Sequence, residues 1–261
     1  MPVYNTKKWV WEAIESILNQ SFKDFEFIII DDYSTDWSYE ICQKYAEKDK
    51  RIKLYRNDKN EWLCYTRNKL INLATTDYIA SQDSDDISKK DRLELEYKFL
   101  SENTQYSVTW WDCEIINENW KKIWLRKYSD NIPNIIVKKC PIANPSSMFK
   151  KSHFYKIWWY TDNKRFDGTE DYDLWLNFYL HWYKIKNLQN VLIEYRIREW
   201  QTKSNIKKIL KNTIHIQKKY IKLWVKATIS DKIYILCEHI LLLMPDKIID
   251  FLFKKITYEK L

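Results

Sequence analysis

Glycine is almost missing from this chain. Gly168 stands alone among 261 residues, where an average globular composition of ~7% would supply about 18. That scarcity argues against a Gly- and Lys-rich loop cradling phosphate on backbone amides, which a nucleotidyltransferase on an α/β sheet normally needs. Histidine is sparse too: His153, His181, His215 and His239 are dispersed and read as ordinary surface or core residues. The five cysteines (Cys42, Cys64, Cys113, Cys140, Cys237) are odd in number and show no C-x-x-C spacing. They fit neither a zinc site nor a disulfide framework, and favour a reducing, cytoplasmic setting. No apolar run approaches the ~20 residues needed to span a bilayer; the longest, Ile233 to Met244, is broken by Glu238 and His239. The opening Met-Pro-Val-Tyr-Asn is neither basic nor apolar, so it does not read as a signal peptide.

What is present is a chain long enough for a full α/β core, 45% hydrophobic and carrying a net charge of +8. The charge is lopsided. Residues 205–261 hold twelve Lys, no Arg and five acids, which leaves residues 1–204 near neutral. A basic tail on a neutral body suggests an anionic surface as partner. Together with 16% aromatic residues it also raises a nucleic-acid-binding protein as an alternative. Against that alternative, the Lys-rich part is a discrete appendage, and acidic motifs occupy the places where phosphates would bind.

Periodicity predicts a helix over Lys8–Gln20, with Val10, Ala13, Ile14, Ile17 and Leu18 on one face. Phe25–Ile30 reads as a buried strand ending at Asp31-Asp32, followed by a helix capped within Ser34–Asp36 and running to about Lys48. Further strands are expected at Ile52–Tyr55 and Asp77–Ser81, and helices at Leu63–Ala74 and Asp91–Leu100. Beyond these the pattern is less regular. Ile132–Val137, Ser146–Phe149 and Val191–Arg196 read as strands, Asp171–Leu180 as a helix, and the chain from Ser204 as helical. The alternation argues for a mostly parallel, doubly wound sheet, whose ligands bind beyond the carboxyl ends of the strands. Pro2–Asn5 reads as a loop after a strand, so the sheet is expected to lack its first strand.

Asp31-Asp32 and Asp83-Ser84-Asp85-Asp86 both fall at such strand ends. Three carboxylates in four residues repel one another. A solvated turn relieves that, as does a hard cation: Mg²⁺ or Mn²⁺ takes one or two carboxylates plus substrate phosphates. A carboxylate at Asp32 can accept from a nucleobase or ribose. Glu170-Asp171 opens a helix, where a carboxylate is stabilised and suits a general base, though acids are ordinary in a first turn. Arg67, on the helix before the third strand, suits diphosphate, base or plain solvent.

The order of these motifs resembles glycosyltransferase family 2, with its GT-A fold. Pro2-Val3-Tyr4-Asn5 and Ala13–Gln20 are similar to the family's opening, Asp31–Asp36 to its D-D-G-S-T-D turn, Thr66-Arg67-Asn68 to its A-R-N and Asp83–Asp86 to its D-x-D-D. Asp91-Arg92-Leu93 and Glu170–Leu176 (E-D-Y-D-L-W-L) complete the series, which runs from Pro2 to about Ser204. The resemblance implies a catalytic domain over residues 1–204 and a basic helical extension over 205–261. Val3 and Tyr4 would border the donor nucleoside, and Asp32 with Arg67 would contact base and ribose. Asp85, with Asp83 beside it, would hold Mn²⁺ or Mg²⁺ on the donor diphosphate. Asp171 would deprotonate the acceptor hydroxyl in an inverting transfer from a nucleoside-diphosphate sugar to a glycan or lipid-linked acceptor. No nucleic acid is implied. The Q-x-x-R-W motif of processive synthases has no match at Arg196-Ile197-Arg198-Glu199, which implies single additions. Apolar stripes and lysines in the extension imply attachment to the inner membrane face.

The missing glycines have a counterpart in 14 tryptophans. The family places Gly where this chain has Trp37, Trp62, Trp158 and Trp159, and the same reading extends to Trp110, Trp111, Trp120, Trp182 and Trp200. Asn119-Trp120-Lys121 and His181-Trp182-Tyr183 read as tight turns, which favour Gly because φ > 0 is easy only without a Cβ. Trp175 matches a family Trp. Trp9, Trp11, Trp124 and Trp224 stay open.

Overall fold

A computed structural model describes residues 1–157, 160, 168–198, 206–223 and 226–260. Trp158, Trp159, Trp200, Trp224 and the segment 199–205 lie outside the described residues.

The first half alternates strands and helices. β1 (Pro2–Val3), α1 (Val10–Leu18), β2 (Phe27–Asp31), α2 (Ser38–Ala46) and β3 (Ile52–Arg56) come first. They are followed by α3 (Leu63–Leu73), β4 (Tyr78–Ala80), β5 (Ile87–Ser88) and α4 (Arg92–Glu102). β1, β2 and β3 form a wholly parallel sheet, with Val3 opposite Asp31 and Asp31 opposite Arg56. Every residue of β2 is buried, as a continuous apolar run sandwiched on both faces requires. On one face Val10, Ala13, Ile14 and Ile17 of α1 pack with Phe27, Ile29 and Cys42; on the other, Ile28 and Ile30 meet Leu70 of α3.

Pro2–Val3, expected as a loop, is a strand. Ile30 N donates to Met1 O at 3.1 Å and the Met1 ammonium donates to Ile28 O at 2.8 Å. Burial of that ammonium pushes its pKa down to about 5. A cavity of about 400 Å³ lies beside this strand, lined by Phe25, Phe27 and Ile28 on one side and Tyr78, Ile79 and Ala80 on the other.

The second half contains β6 (Tyr106–Asn117), β7 (Lys122–Arg126), α5 (Ile132–Ile135), β8 (Met148–Lys150), α6 (Lys151–Phe154), α7 (Glu170–Leu180) and β9 (Lys184–Ile197). After these come α8 (Ile206–Lys222), α9 (Ile229–Leu241), α10 (Asp246–Thr257) and β10 (Glu259–Lys260). Its sheet is mixed: β6 runs parallel to β9 but antiparallel to β7 and β8, and β8 is antiparallel to β4. The mostly parallel pairing that was expected is complete in β1–β3, and in the second half it is carried by β6 with β9. Ile132–Val137 is not a strand. Pro133 sits in the first turn of α5, where a missing N–H costs nothing, whereas inside a ladder it would leave a carbonyl unpaired. β9 begins at Lys184, seven residues before the expected Val191, with a register shift opposite Trp110–Asp112 and Gln189 at φ 55°.

The basic extension is fastened to this body. Ile214, Ile216 and Tyr220 of α8 belong to the same core as Trp175 and Phe178 of α7. Tyr220 Oη donates to Asp173 O at 2.8 Å, and Trp124 of β7 stacks on Tyr258 at 5.0 Å.

Among the described residues, seven that are not glycine have φ > 0, and four of them are tryptophans: Trp37 (71°), Trp62 (73°), Trp120 (60°) and Trp182 (62°). The others are Asn5, Tyr33 and Gln189. Trp62 has ψ 160°, a region essentially reserved for glycine. Gly168 also has positive φ, 81°. Trp110 and Trp111, by contrast, are buried within β6, and their backbone makes no such demand.

Left-handed backbone costs an L-residue about 1–2 kcal/mol, and Trp182 is 93% exposed and packs little in return. Trp62→Gly and Trp182→Gly are therefore expected to raise stability by about 1 kcal/mol each, read as a higher denaturant midpoint. Trp175→Gly, which empties a fully buried site, should cost about 3–5 kcal/mol. Destabilisation by all three would show that the left-handed indoles are not strained.

Candidate active site

Three loops meet at the carboxyl ends of β1, β2 and β4. The turn after β1 is tied to the turn after β2. Asn5 N donates to Ser34 Oγ at 3.0 Å, Thr35 N to Asn5 Oδ1 at 2.9 Å, and Thr6 N to Ser38 Oγ at 2.8 Å. Thr6 Oγ1 also donates to Ser84 Oγ at 3.1 Å, which brings in the acidic loop after β4. Val3 is buried and its carbonyl accepts from Asp32 N at 2.8 Å. Tyr4 is 47% exposed at the same edge, a ring face open to a nucleobase.

The paired aspartates divide their tasks. Asp31 is fully buried and organises the turn: its Oδ2 accepts from Ser34 N at 3.1 Å and meets Arg56 Nε at 3.1 Å. Burial raises its pKa despite these partners. Asp32 faces the other way, its Oδ1 accepting from Asn57 Nδ2 at 2.7 Å and from Glu61 N at 2.9 Å.

The loop Asp83–Asp86 is braced from beneath. Gln82 Nε2 donates to Asp83 O and Asp86 O at 2.9 and 2.8 Å. Arg92, the middle residue of the Asp-Arg-Leu motif, has a side chain with no exposure and donates to Ser81 O (2.6 Å), Gln82 Oε1 (3.1 Å), Ser88 Oγ (2.9 Å) and Glu96 Oε1 (3.2 Å). Above this base the acids are strained electrostatically. Burial raises the pKa of Asp85, and Asp83 adds to it while Arg198 opposes. The pKa of Asp86 is pushed well up by burial and by Asp85 and Asp83, and its buried Oδ2 has no hydrogen-bond partner among the described residues.

Arginines supply the compensating charge. Arg198, at the end of β9, pairs with Asp85 Oδ2 through Nη2 at 2.5 Å and Nε at 2.7 Å. Arg196 lies two residues earlier, on the same face of the strand. It donates from Nε to Asp85 O at 2.8 Å, from its amide to Asp86 Oδ1 at 2.8 Å, and from Nη2 to Glu12 Oε2 at 3.0 Å. Arg67 bridges Asp83 Oδ1 at 3.2 Å and Glu170 Oε1 at 2.9 Å. Burial opposes its charge, but Asp83, Glu170 and Asp171 outweigh that and hold the guanidinium protonated. The structure therefore places Arg67 between the acidic loop and α7 rather than on Asp32.

Asp171 stands on the first turn of α7, next to Glu170. Its Oδ1 accepts from Tyr172 N at 2.8 Å, and its pKa is pushed up to about 7, first by burial, then by the Glu170 carboxylate, with Arg67 pulling the other way. A carboxylate that titrates near neutrality is matched to proton abstraction. Sequence reasoning named Asp32, Arg67, Asp83, Asp85 and Asp171; the fold joins Arg67 to Asp83 and to Glu170 beside Asp171, with Asp85 on the same loop, while Asp32 follows a strand of the other sheet. That reasoning missed Arg196 and Arg198, although their two-residue spacing at the end of an apolar strand was a signal that both face the same way.

Residues 1–158 match the family model described as glycosyl transferase family 2. The chain belongs to glycosyltransferase family 2. Relatives agree: a Bacillus subtilis protein named as a glycosyltransferase, EpsE, is 33% identical over 98% of this chain and 92% of its own length. The O-antigen biosynthesis glycosyltransferase WbnJ of Escherichia coli is 34% identical over 78% of this chain and 81% of its own. Among solved structures, Staphylococcus aureus TarS 1–349 in complex with UDP has a TM-score of 0.64 at 20% identity. It covers 91% of this chain and 68% of that one. The mannosyltransferase PcManGT of Pyrobaculum calidifontis, in complex with GDP-Man and Mn²⁺, has a TM-score of 0.63 at 14% identity, over 94% and 69%. These likenesses establish the GT-A fold, and family membership makes the chain a glycosyltransferase.

If Asp171 is the titrating base, single-turnover transfer should rise with pH through about 7, because only the ionised carboxylate accepts a proton. A rate that stays flat across neutral pH would contradict its raised pKa.

Proposed function

We propose that this transferase moves one sugar at a time from a nucleoside-diphosphate sugar to an acceptor hydroxyl, with inversion, while attached peripherally to the inner membrane face. The observation that carries the reading is the bridge from Asp83 through Arg67 to Glu170, which fixes the donor end and the acceptor end of one site at hydrogen-bond distance.

The nucleoside lies between Tyr4, Val3 and Asp32. The acids after β4 form a cluster whose charge is only partly balanced, since Asp86 Oδ2 is buried and, among the described residues, unpartnered. Such a donor set suits Mn²⁺ or Mg²⁺ shared with a diphosphate; Asp85, with Asp83, would hold it, as hard cations prefer oxygen ligands and complete their shell from substrate phosphate. Among the described residues no group of three or more His, Cys, Asp or Glu is placed to hold a metal ion by itself. When bound, the cation supplies neutralisation of charge on the departing diphosphate. Arg67 and Arg198 add fixed positive charge beside the same leaving group. Asp171 takes the acceptor proton as the acceptor oxygen forms its bond to the anomeric carbon and the bond to the diphosphate breaks. The helix start at α7 and the Glu170–Arg67 pair hold that carboxylate in place.

Acceptors are a glycan or a lipid-linked sugar, consistent with relatives named for O-antigen synthesis. The absence of Q-x-x-R-W supports single additions. Among the described residues no helix is long and apolar enough to cross a membrane, so any membrane contact through them is peripheral.

Asp171→Asn keeps shape and removes the proton acceptor. Donor binding should persist while turnover falls by about 10²-fold or more, and EDTA should abolish transfer by the unmodified protein. Equal loss of donor binding and turnover in the variant would make Asp171 structural, and full activity in EDTA would remove the metal from the account.

A further inference from the structure

We infer that α9 docks on an anionic lipid surface through an apolar stripe that the fold leaves facing outward; this rests on the membrane attachment proposed above and specifies the surface that makes it. In an ordinary amphipathic helix the apolar stripe faces the core. On α9 the inward face buries Ile235 together with two acids, and a second apolar stripe faces outward. The residues turned inward include Asp231, which caps the helix with Thr228 and pairs with Lys138 at 3.5 Å, and Glu238, which is buried beside Gln217 and has its pKa raised to about 7 by burial. The outward stripe is Ile229, Ile233, Leu236, Ile240 and Leu243, at i, i+4, i+7, i+11 and i+14, with exposures of 78, 56, 61, 49 and 85%. A row of five large apolar side chains on one solvent-facing stripe exceeds what scattered surface residues produce, and marks an interaction face.

Charge selects the partner. Lys232 lies within the stripe, and Lys226 precedes the helix; both are exposed. The next helix, α10, carries Phe251 and Ile256 exposed at 63 and 70%, along with exposed Lys247 and Lys255. Apolar side chains flanked by lysines match an interface in which acyl chains lie beneath anionic headgroups. A second copy of this chain would place like charges against each other, which favours lipid over self-association. The shallow stripe is too short to span a bilayer and suits insertion to headgroup depth.

The test is flotation of the full chain with vesicles of phosphatidylcholine alone or mixed with phosphatidylglycerol, at low and high salt. The protein should float with anionic vesicles only, less so in high salt. Leu236→Ser with Ile240→Ser should lower the bound fraction about tenfold or more. Lys226→Glu with Lys232→Glu should weaken binding too, while binding of UDP and GDP is unchanged in both variants. Absence of flotation, or flotation that ignores both variants, overturns the proposal. So does a dimer in solution that these variants dissociate without any lipid binding, which would assign the face to a second copy. Intact nucleotide binding beside failed flotation would leave the transferase reading standing alone.

A different observation carries a second inference. Four of the ten described tryptophans occupy left-handed backbone, where a few per cent of non-glycine residues are found, so about one or none was due. We infer that the natural protein has glycine at Trp37, Trp62, Trp120 and Trp182, through a genetic code in which UGA, read elsewhere as Trp, encodes Gly. Trp37 and Trp62 sit immediately before α2 and α3, so the reading touches two helix starts beside the donor site. Intact and peptide mass of the protein from its native source decides it. Masses lower by whole multiples of the Trp–Gly difference, including one in each peptide that spans these four positions, are expected. A mass that accounts for all 14 tryptophans overturns it.

Discussion

Three carboxylates in four residues at the end of one short strand set the terms for the rest of the site. Asp85 and Asp86 are buried and Asp83 partly so. Buried charges of one sign are tolerated only with partners, and the partners come from three other elements. Arg67 reaches in from α3, Arg196 and Arg198 from the end of β9, and Arg92 holds the loop backbone from α4. Burial comes first in raising the pKa of Asp85 and Asp86, the neighbouring carboxylates add to it, and Arg198 and Arg196 oppose it.

That crowding of carboxylates links architecture to the proposed chemistry. On the reading proposed above, a divalent ion brought with a diphosphate would relieve it. Arg67 then has a double part: it is near enough to Asp83 to respond to the donor and is bonded to Glu170, whose neighbour Asp171 titrates near neutrality. Binding at one end and basicity at the other share a single guanidinium.

Much of this was legible in the sequence, for identifiable reasons. The strand Phe27–Asp31 and helix α1 announce themselves because a buried parallel strand must be apolar throughout and its covering helix must be amphipathic. Asp32, Asp83 and Asp85 were legible because they follow strands and Asp171 because it opens a helix, whereas Arg67, inside α3, was legible through the Thr66-Arg67-Asn68 resemblance. Other parts were not. Pro2–Val3 has too few residues to show a period, so its pairing with β2 was read as a loop. Ile132–Val137 has the apolar content of a strand, and Pro133 was the residue that should have argued otherwise. Arg92 was named only within Asp91-Arg92-Leu93, since no pattern within a single helix shows that a strand end lies over it. Arg198 was invisible for a related reason: its partner Asp85 is 113 residues away. The tryptophans were legible by their excess and by the family's glycine positions and turns, and four of those named, Trp37, Trp62, Trp120 and Trp182, have positive φ.

The central claim is that the Asp83–Asp86 loop is a donor seat completed by a divalent cation. Calorimetric titration of UDP and GDP, with and without Mn²⁺, into the unmodified protein and into Asp85→Asn tests it most directly. The account predicts that Mn²⁺ tightens binding of one nucleotide by about tenfold or more in the unmodified protein and has no such effect in Asp85→Asn. Affinity that is indifferent to the metal in both proteins would contradict it.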